Sequence, residues 1–212
     1  MAQISTSILS IKDNFIDNIK KIDNTSTDYI HLDIMDGNFV PNKSFSYEEM
    51  LSVKKNTTKP LDVHLMVSNP EPYINNYKNL NPEYITIHYE IEDYLKYINI
   101  IKDLNIKAGI SVKPNTNIEE IFDVLHKLDL VLIMSVEPGL GGQKFIESSI
   151  DKIKKLKSYI DKNNLDIKIE VDGGINDITS ILCIDAGCDI LVSGSYITNN
   201  ENYEEQIKKL RN

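Results

Sequence analysis

No apolar run in this chain approaches the roughly 20 residues needed to span a bilayer, so a membrane-spanning helix is not expected. Met1 to Ser7 lack the basic start and apolar centre of a secretion signal, which points to a cytoplasmic protein. Cysteine is scarce. Cys183 and Cys188 cannot build a disulfide scaffold, and two thiols cannot complete a zinc cage; packing in a reducing compartment is the expected role. Positive charge is also in deficit. A net charge of −9 argues against a nucleic-acid surface, which needs Lys and Arg clusters, but leaves room for a local site for a small anion. Linkers, low-complexity segments and breaks in composition are missing too, so residues 1–212 are expected to form one domain.

What is present is a regular alternation. β-type runs at Ile4–Leu9, Tyr29–Met35, Leu61–Met66, Tyr84–His88, Lys107–Val112, Leu130–Val136, Ile167–Asp172 and Ile190–Ser193 are separated by helical patterns. Phe15, Ile16, Ile19 and Ile22 form one such pattern, Ile150, Ile153 and Leu156 another, and a last helix is expected near Tyr203–Leu210. Eight such units suit an α/β fold of the (β/α)8 TIM-barrel type; an open doubly wound sheet also alternates strands and helices. Polar residues separate the two. Ser7, Asp33, Met35, His64, Met66, Met134 and Asp172 all fall near strand C-terminal ends, and a closed barrel brings those ends to one centre.

The second strand carries the strongest chemical signal, His31-Leu32-Asp33-Ile34-Met35-Asp36-Gly37. Successive strand residues face opposite ways, so His31, Asp33 and Met35 share one face. Asp62, His64 and Met66 repeat the pattern on the third strand. A buried carboxylate and imidazole are costly unless paired with a metal ion or engaged in proton transfer. His31, Asp33, His64 and Asp172 supply four N/O donors suited to zinc, manganese, iron or cobalt. Glycine-rich runs follow three successive strands: Gly139-Leu140-Gly141-Gly142, Gly173-Gly174, and Ser193-Gly194-Ser195. Each alone reads as a turn. Three in adjacent loops suggest a phosphate cradle of backbone N–H groups.

Over nearly its whole length the chain resembles the ribulose-phosphate 3-epimerase family. The resemblance rests on Ser7-Ile8-Leu9-Ser10, His31 to Asn42, Asp62 to Val67, Met134 to Phe145, Glu170 to Ile175 and Val192 to Ser195. It implies interconversion of D-ribulose 5-phosphate and D-xylulose 5-phosphate in the pentose phosphate pathway. It also implies one divalent ion per subunit on His31, Asp33, His64 and Asp172, with zinc first and iron, manganese or cobalt as other fits. Asp33 and Asp172 become the acid/base pair. Implied substrate contacts are Ser7, His64, Met35, Met66, Met134, Gly139, Leu140, Gly141, Gly142, Asp172, Gly173, Gly174, Gly194 and Ser195, in a homo-oligomer whose partner is a small sugar phosphate.

The chemistry is consistent with those residue types. Inverting C3 of a ketose phosphate removes a proton from one face and returns one to the other, which two opposed carboxylates can do. A divalent ion can stabilise the resulting enediolate. The loop Val136–Phe145 is expected to act as a mobile lid. Other polar residues have plainer readings. His88 is read as structural, His126 as surface, Asp36 as a loop brace, Asp62 as a partner that orients a ligand, and the lysines around Lys152 as a solvated helix face. The chain departs from the usual family pattern at Ile11-Lys12, at Lys43 to Ser46 and at Asn24 to Asp28, none of which touches an implied ligand. Rival readings are a six-carbon ketose-phosphate epimerase, a lyase or decarboxylase barrel, and a phosphate-binding barrel without catalysis. The last would have lost ligands that are all present here.

Overall fold

The computed structural model describes residues 1–211. Eight parallel strands, β1 (Gln3–Ser7), β2 (Tyr29–Met35), β3 (Leu61–Met66), β4 (Tyr84–His88), β5 (Lys107–Val112), β6 (Leu130–Met134), β7 (Lys168–Asp172) and β8 (Ile190–Ser193), pair in sequence order. β8 returns to β1, with Ile4 opposite Leu191, and closes the barrel. Closure settles the choice against an open doubly wound sheet. The protein is a single-domain (β/α)8 TIM barrel.

Alternation along the strands builds two different interiors. Outward-facing Ile30, Leu32 and Ile34 of β2 and Leu61, Val63 and Leu65 of β3 belong to one large apolar layer under the helices. That layer is packed by α1 (Phe15–Asp23), α2 (Tyr47–Lys55), α3 (Glu71–Tyr77), α4 (Tyr94–Asp103), α5 (Ser149–Asn163), α6 (Thr179–Ala186) and α8 (Tyr203–Leu210). Within the barrel, Tyr29, Tyr84, Leu130, Leu132 and Ile190 plug the lower part. Polar side chains occupy much of the rest.

Helix boundaries follow local chemistry. α2 starts at a capping box in which Ser46 accepts from the Glu49 N–H and the Glu49 carboxylate accepts from the Ser46 N–H. α8 begins where Asn202 accepts from the Glu205 N–H. Two features differ from the sequence expectation. The helix between β5 and β6 is a 3₁₀ segment, Ile118–Lys127. It buries Ile118, Ile121 and Leu125. A short extra helix, α7 (Ser195–Thr198), follows β8 directly. Lys152 also departs from its expected solvated face. Its Nζ is partly buried and donates to the carbonyl oxygens of Lys113 (2.9 Å), Pro114 (2.6 Å) and Thr116 (2.5 Å), tying α5 to the loop after β5. A lysine on a helix face reads as solvated in sequence. Only the tertiary fold presents these three carbonyls to it.

Candidate active site

Parallel register places the polar strand residues side by side. Asp33 on β2 lies opposite His64 on β3, and His31 lies opposite Asp62. Because all eight strands run the same way, their C-terminal ends meet at one mouth, where β7 brings Asp172 level with Met134 of β6. His31, Asp33, His64 and Asp172 each offer one donor atom, all within 4.8 Å of one another. Asp33 Oδ1 stands 3.4 Å from His31 Nε2 and 3.5 Å from His64 Nδ1. Its other oxygen accepts from Ser7 Oγ at 2.7 Å.

The donor set fits a divalent metal ion on an observation of its own. His31 Nε2 and His64 Nδ1 are buried and have no hydrogen-bond partner among the described residues. An orphaned buried polar atom costs about 1–3 kcal/mol. These two nitrogens point at the same aspartate oxygen, and an ion between them removes that cost. Two imidazoles and two carboxylates, without thiolate, form a set that zinc, manganese, iron or cobalt accepts.

The opposite nitrogen of each histidine is occupied. His31 Nδ1 lies 2.6 Å from Asp62 Oδ2, which also accepts from Ser5 Oγ at 2.8 Å. Asp62 thus stands where the sequence suggested, behind a candidate ligand. His64 Nε2 lies 3.0 Å from His88 Nε2, and His88 Nδ1 lies 3.1 Å from Glu90 Oε2. Glu90 Oε1 in turn accepts from the Lys113 N–H and the Thr116 hydroxyl. His88 is fully buried beneath the site. His126 is exposed, as expected. Asp36 braces the loop after β2, accepting from the N–H groups of Asn38, Phe39 and Ser68.

Sequence reasoning gave no role to Glu170 or Glu90. Glu170 is fully buried on β7, grouped with His31 and Asp62. Burial first, then the Asp62 charge, push its carboxyl well above the usual range. The available signals were slight: Glu170 precedes Asp172 by two residues and shares its strand face, and Glu90 follows His88 by two.

The electrostatics separate the two candidate catalytic carboxylates. Burial would raise Asp33, but the nearby His31 charge and the close approach of the His31 and His64 rings outweigh it and hold the carboxyl far below the usual range. Asp172 is pushed up to about 7, by burial first and by the Asp33 charge second. Unequal proton affinities are what an acid/base pair requires. Burial keeps His64 below the ordinary histidine value, whereas the Asp62 and Asp33 charges overcome burial at His31 and raise it. Glu90 is held down to about 2: hydrogen bonds from His88, Thr116 and the Lys113 N–H outweigh its burial.

Above this cluster opens a cavity of about 570 Å³, the size of a small-molecule site rather than a polymer groove. Ser7, Asp33, Met35, Met66, Met134 and Asp172 line its floor; His31 and His64 lie beneath it. Gly139, Leu140, Gly141, Gly142, Gly173, Gly174, Gly194 and Ser195 form the opposite walls. Gly174 has φ +65°, and a Cβ there would stand 2.5 Å from the Phe145 backbone nitrogen, so the β7 loop and the loop after β6 approach as only glycine permits. The latter loop is held by Asn42, whose side-chain N–H donates to the Gly139 carbonyl at 2.9 Å.

Fold and site together define a class: a (β/α)8-barrel enzyme with paired carboxylates, a set of donors that could hold a divalent metal ion, and glycine-rich loops over one small cavity. The chain belongs to the ribulose-phosphate 3-epimerase family, whose sequence model matches residues 3–198. It is an isomerase of the epimerase type. It is 40% identical to the ribulose-phosphate 3-epimerase of Bacillus subtilis, with 100% of this chain and 99% of that protein covered. It is 41% identical to the enzyme of that name from Methanocaldococcus jannaschii, with 100% and 90% covered. Solved structures with the same fold include 3-hexulose-6-phosphate synthase from Salmonella typhimurium (TM-score 0.71, 14% identity, 98% and 96% covered). Phosphoribosyl anthranilate isomerase from Thermococcus kodakaraensis is another (TM-score 0.66, 11% identity, 100% and 97% covered). At such identities the likeness is one of fold alone.

Proposed function

We propose that the enzyme interconverts D-ribulose 5-phosphate and D-xylulose 5-phosphate by moving a proton off one face of C3 and onto the other. The observation that carries this reading is the placement of Asp33 on β2 and Asp172 on β7. They flank one floor of one cavity, with an oxygen of each within 4.8 Å of the other. Asp33, ionised and steadied by Ser7, takes the proton in one direction; Asp172 supplies one from the other side, and the roles exchange in reverse. A divalent ion held by His31, Asp33, His64 and Asp172, zinc first, would supply Lewis-acid stabilisation of the charge that develops as C3 is deprotonated.

The remaining residues bind and shield. Met35, Met66 and Met134 present polarisable apolar surface beside the reacting carbon. Gly141, Gly142, Gly173, Gly174, Gly194 and Ser195 receive the phosphate, with the first N–H groups of α7 left without intrahelical acceptors. The loop from Val136 to Phe145 excludes water from the charged intermediate, opening and closing over the cavity. The same reading places the reaction in the pentose phosphate pathway of the cytoplasm and the chain in a homo-oligomer.

The test is a coupled assay of D-ribulose 5-phosphate conversion before and after chelation, with single metals restored. Turnover that falls on chelation and returns with one metal supports the reading. Absence of turnover with every metal, or faster turnover of a six-carbon ketose phosphate, overturns it.

A further inference from the structure

The two candidate ligand histidines present opposite ring nitrogens to the site, His31 its Nε2 and His64 its Nδ1. Each must therefore carry its proton on the other nitrogen, because a neutral imidazole holds one proton and binds a metal through the unprotonated atom. For His31 the requirement is met directly, since the Asp62 carboxylate can only accept from Nδ1–H. For His64 the neighbour is another histidine, which could accept or donate at Nε2. What decides the direction lies one residue further out.

Glu90 Oε2 faces His88 Nδ1 at 3.1 Å, while its Oε1 receives the Lys113 N–H at 2.7 Å and the Thr116 hydroxyl. A carboxylate accepts at both ends, so His88 must donate from Nδ1 and is left with a bare Nε2. That nitrogen, 3.0 Å from His64 Nε2, must accept. His64 is then protonated at Nε2 and bare at Nδ1, the atom that faces Asp33. The chain is rigid at its far end: Lys152 clamps the carbonyls of Lys113, Pro114 and Thr116, the segment that holds Glu90. Phe39 covers the His88 ring, with centroids 4.6 Å apart.

We propose that His88 and Glu90 are positioning residues that fix the tautomer of His64, so that its Nδ1 is free to bind the metal ion. The inference rests on the reading that a divalent ion sits among His31, Asp33, His64 and Asp172. It goes beyond that reading by giving a function to two side chains that touch neither the cavity nor the ion.

Glu90→Gln is the sharpest test, because it keeps size and inverts the chain. The Lys113 N–H and Thr116 hydroxyl require an acceptor, so the amide oxygen turns to them and its NH₂ faces His88. The amide then donates to His88 Nδ1, His88 donates from Nε2, and the His64 proton moves to Nδ1. Zinc affinity, measured by competition with a chromophoric chelator, is expected to fall about 10–100-fold, as for other partners of metal-ligating histidines. Thr116→Val, which leaves the carboxylate in place, should bind zinc close to the unaltered protein. Independently of any variant, ¹⁵N NMR of the zinc-loaded protein should show His88 protonated at Nδ1 and His64 at Nε2. Undiminished zinc affinity in a folded Glu90→Gln protein, or a His88 proton on Nε2, would overturn the relay while leaving the metal site standing. Failure of the unaltered protein to bind zinc or any other divalent ion at this cluster would overturn the metal reading and the relay with it.

Discussion

The two faces of β2 and β3 are built from the same strands and have almost nothing else in common. Outward, Ile30, Leu32, Ile34, Leu61, Val63 and Leu65 are aliphatic and lie in one layer with the helices. Inward, His31, Asp33, Asp62 and His64 are ionisable, and all are equally buried. Burial therefore does not mark the site; what differs is how each buried group is satisfied. The outer face gains from removing apolar area from water, while the inner face depends on partners such as Asp62 for His31 and Ser7 for Asp33, or on an ion, to offset the burial of its polar atoms. One strand thus carries stability on one side and chemistry on the other, and damage to the two sides should be separable.

The largest separation is expected at the carboxylates. Asp33→Asn and Asp172→Asn should each lower turnover by at least ~10²–10⁴-fold, the range for one positioned acid or base, while thermal unfolding stays near that of the unaltered protein. Retained turnover in either variant would remove the two-carboxylate mechanism. The outer face should show the converse. Leu65→Ala is expected to cost about 2–5 kcal/mol of stability, read from denaturant unfolding, with little change in turnover per folded molecule. An equal loss of kcat would show that the faces are coupled.

Intermediate effects belong to groups behind the site. Asp62→Asn replaces a group that can only accept from His31 Nδ1 by one that can also donate, and should weaken zinc binding by about 10–100-fold in chelator competition. Undiminished affinity would mean that the His31 ring is held without the Asp62 carboxylate. The smallest effect is expected at a helix cap that does not line the cavity. Ser46→Ala deletes the capping hydrogen bond of α2 and should cost about 1 kcal/mol in unfolding free energy without altering KM or kcat.

Much of this arrangement was legible beforehand. Eight strand patterns, their order and the inward set His31, Asp33, His64 and Asp172 follow from a two-residue period and from motifs shared with the family. Asp62 was legible for the same reason, lying two residues from His64. His88 was taken as structural because a single histidine at a strand end carries no sign of what it touches. Glu90 lies just past β4 in a stretch without strand alternation, so no periodicity aimed it back toward the barrel. Lys152 sits in a lysine-rich helix whose pattern is that of any solvated face. The 3₁₀ character of Ile118–Lys127 and the presence of α7 were missed because short helices hardly differ from turns in composition.

The sequence by itself determined which residues face inward, since alternation along a strand is a local property of the extended backbone. It also determined the chemistry those residues can support, because side-chain types are fixed in the chain. The tertiary structure alone decided who satisfies whom. That Asp62 meets His31, that His88 meets His64, and that Glu90 is seized by Lys113 and Thr116 depends on barrel closure and parallel register. Those contacts join residues up to 31 positions apart. Hydrogen-bond direction, and with it the protonation of each ring nitrogen, is a property of such assembled neighbours and has no local signature in the chain.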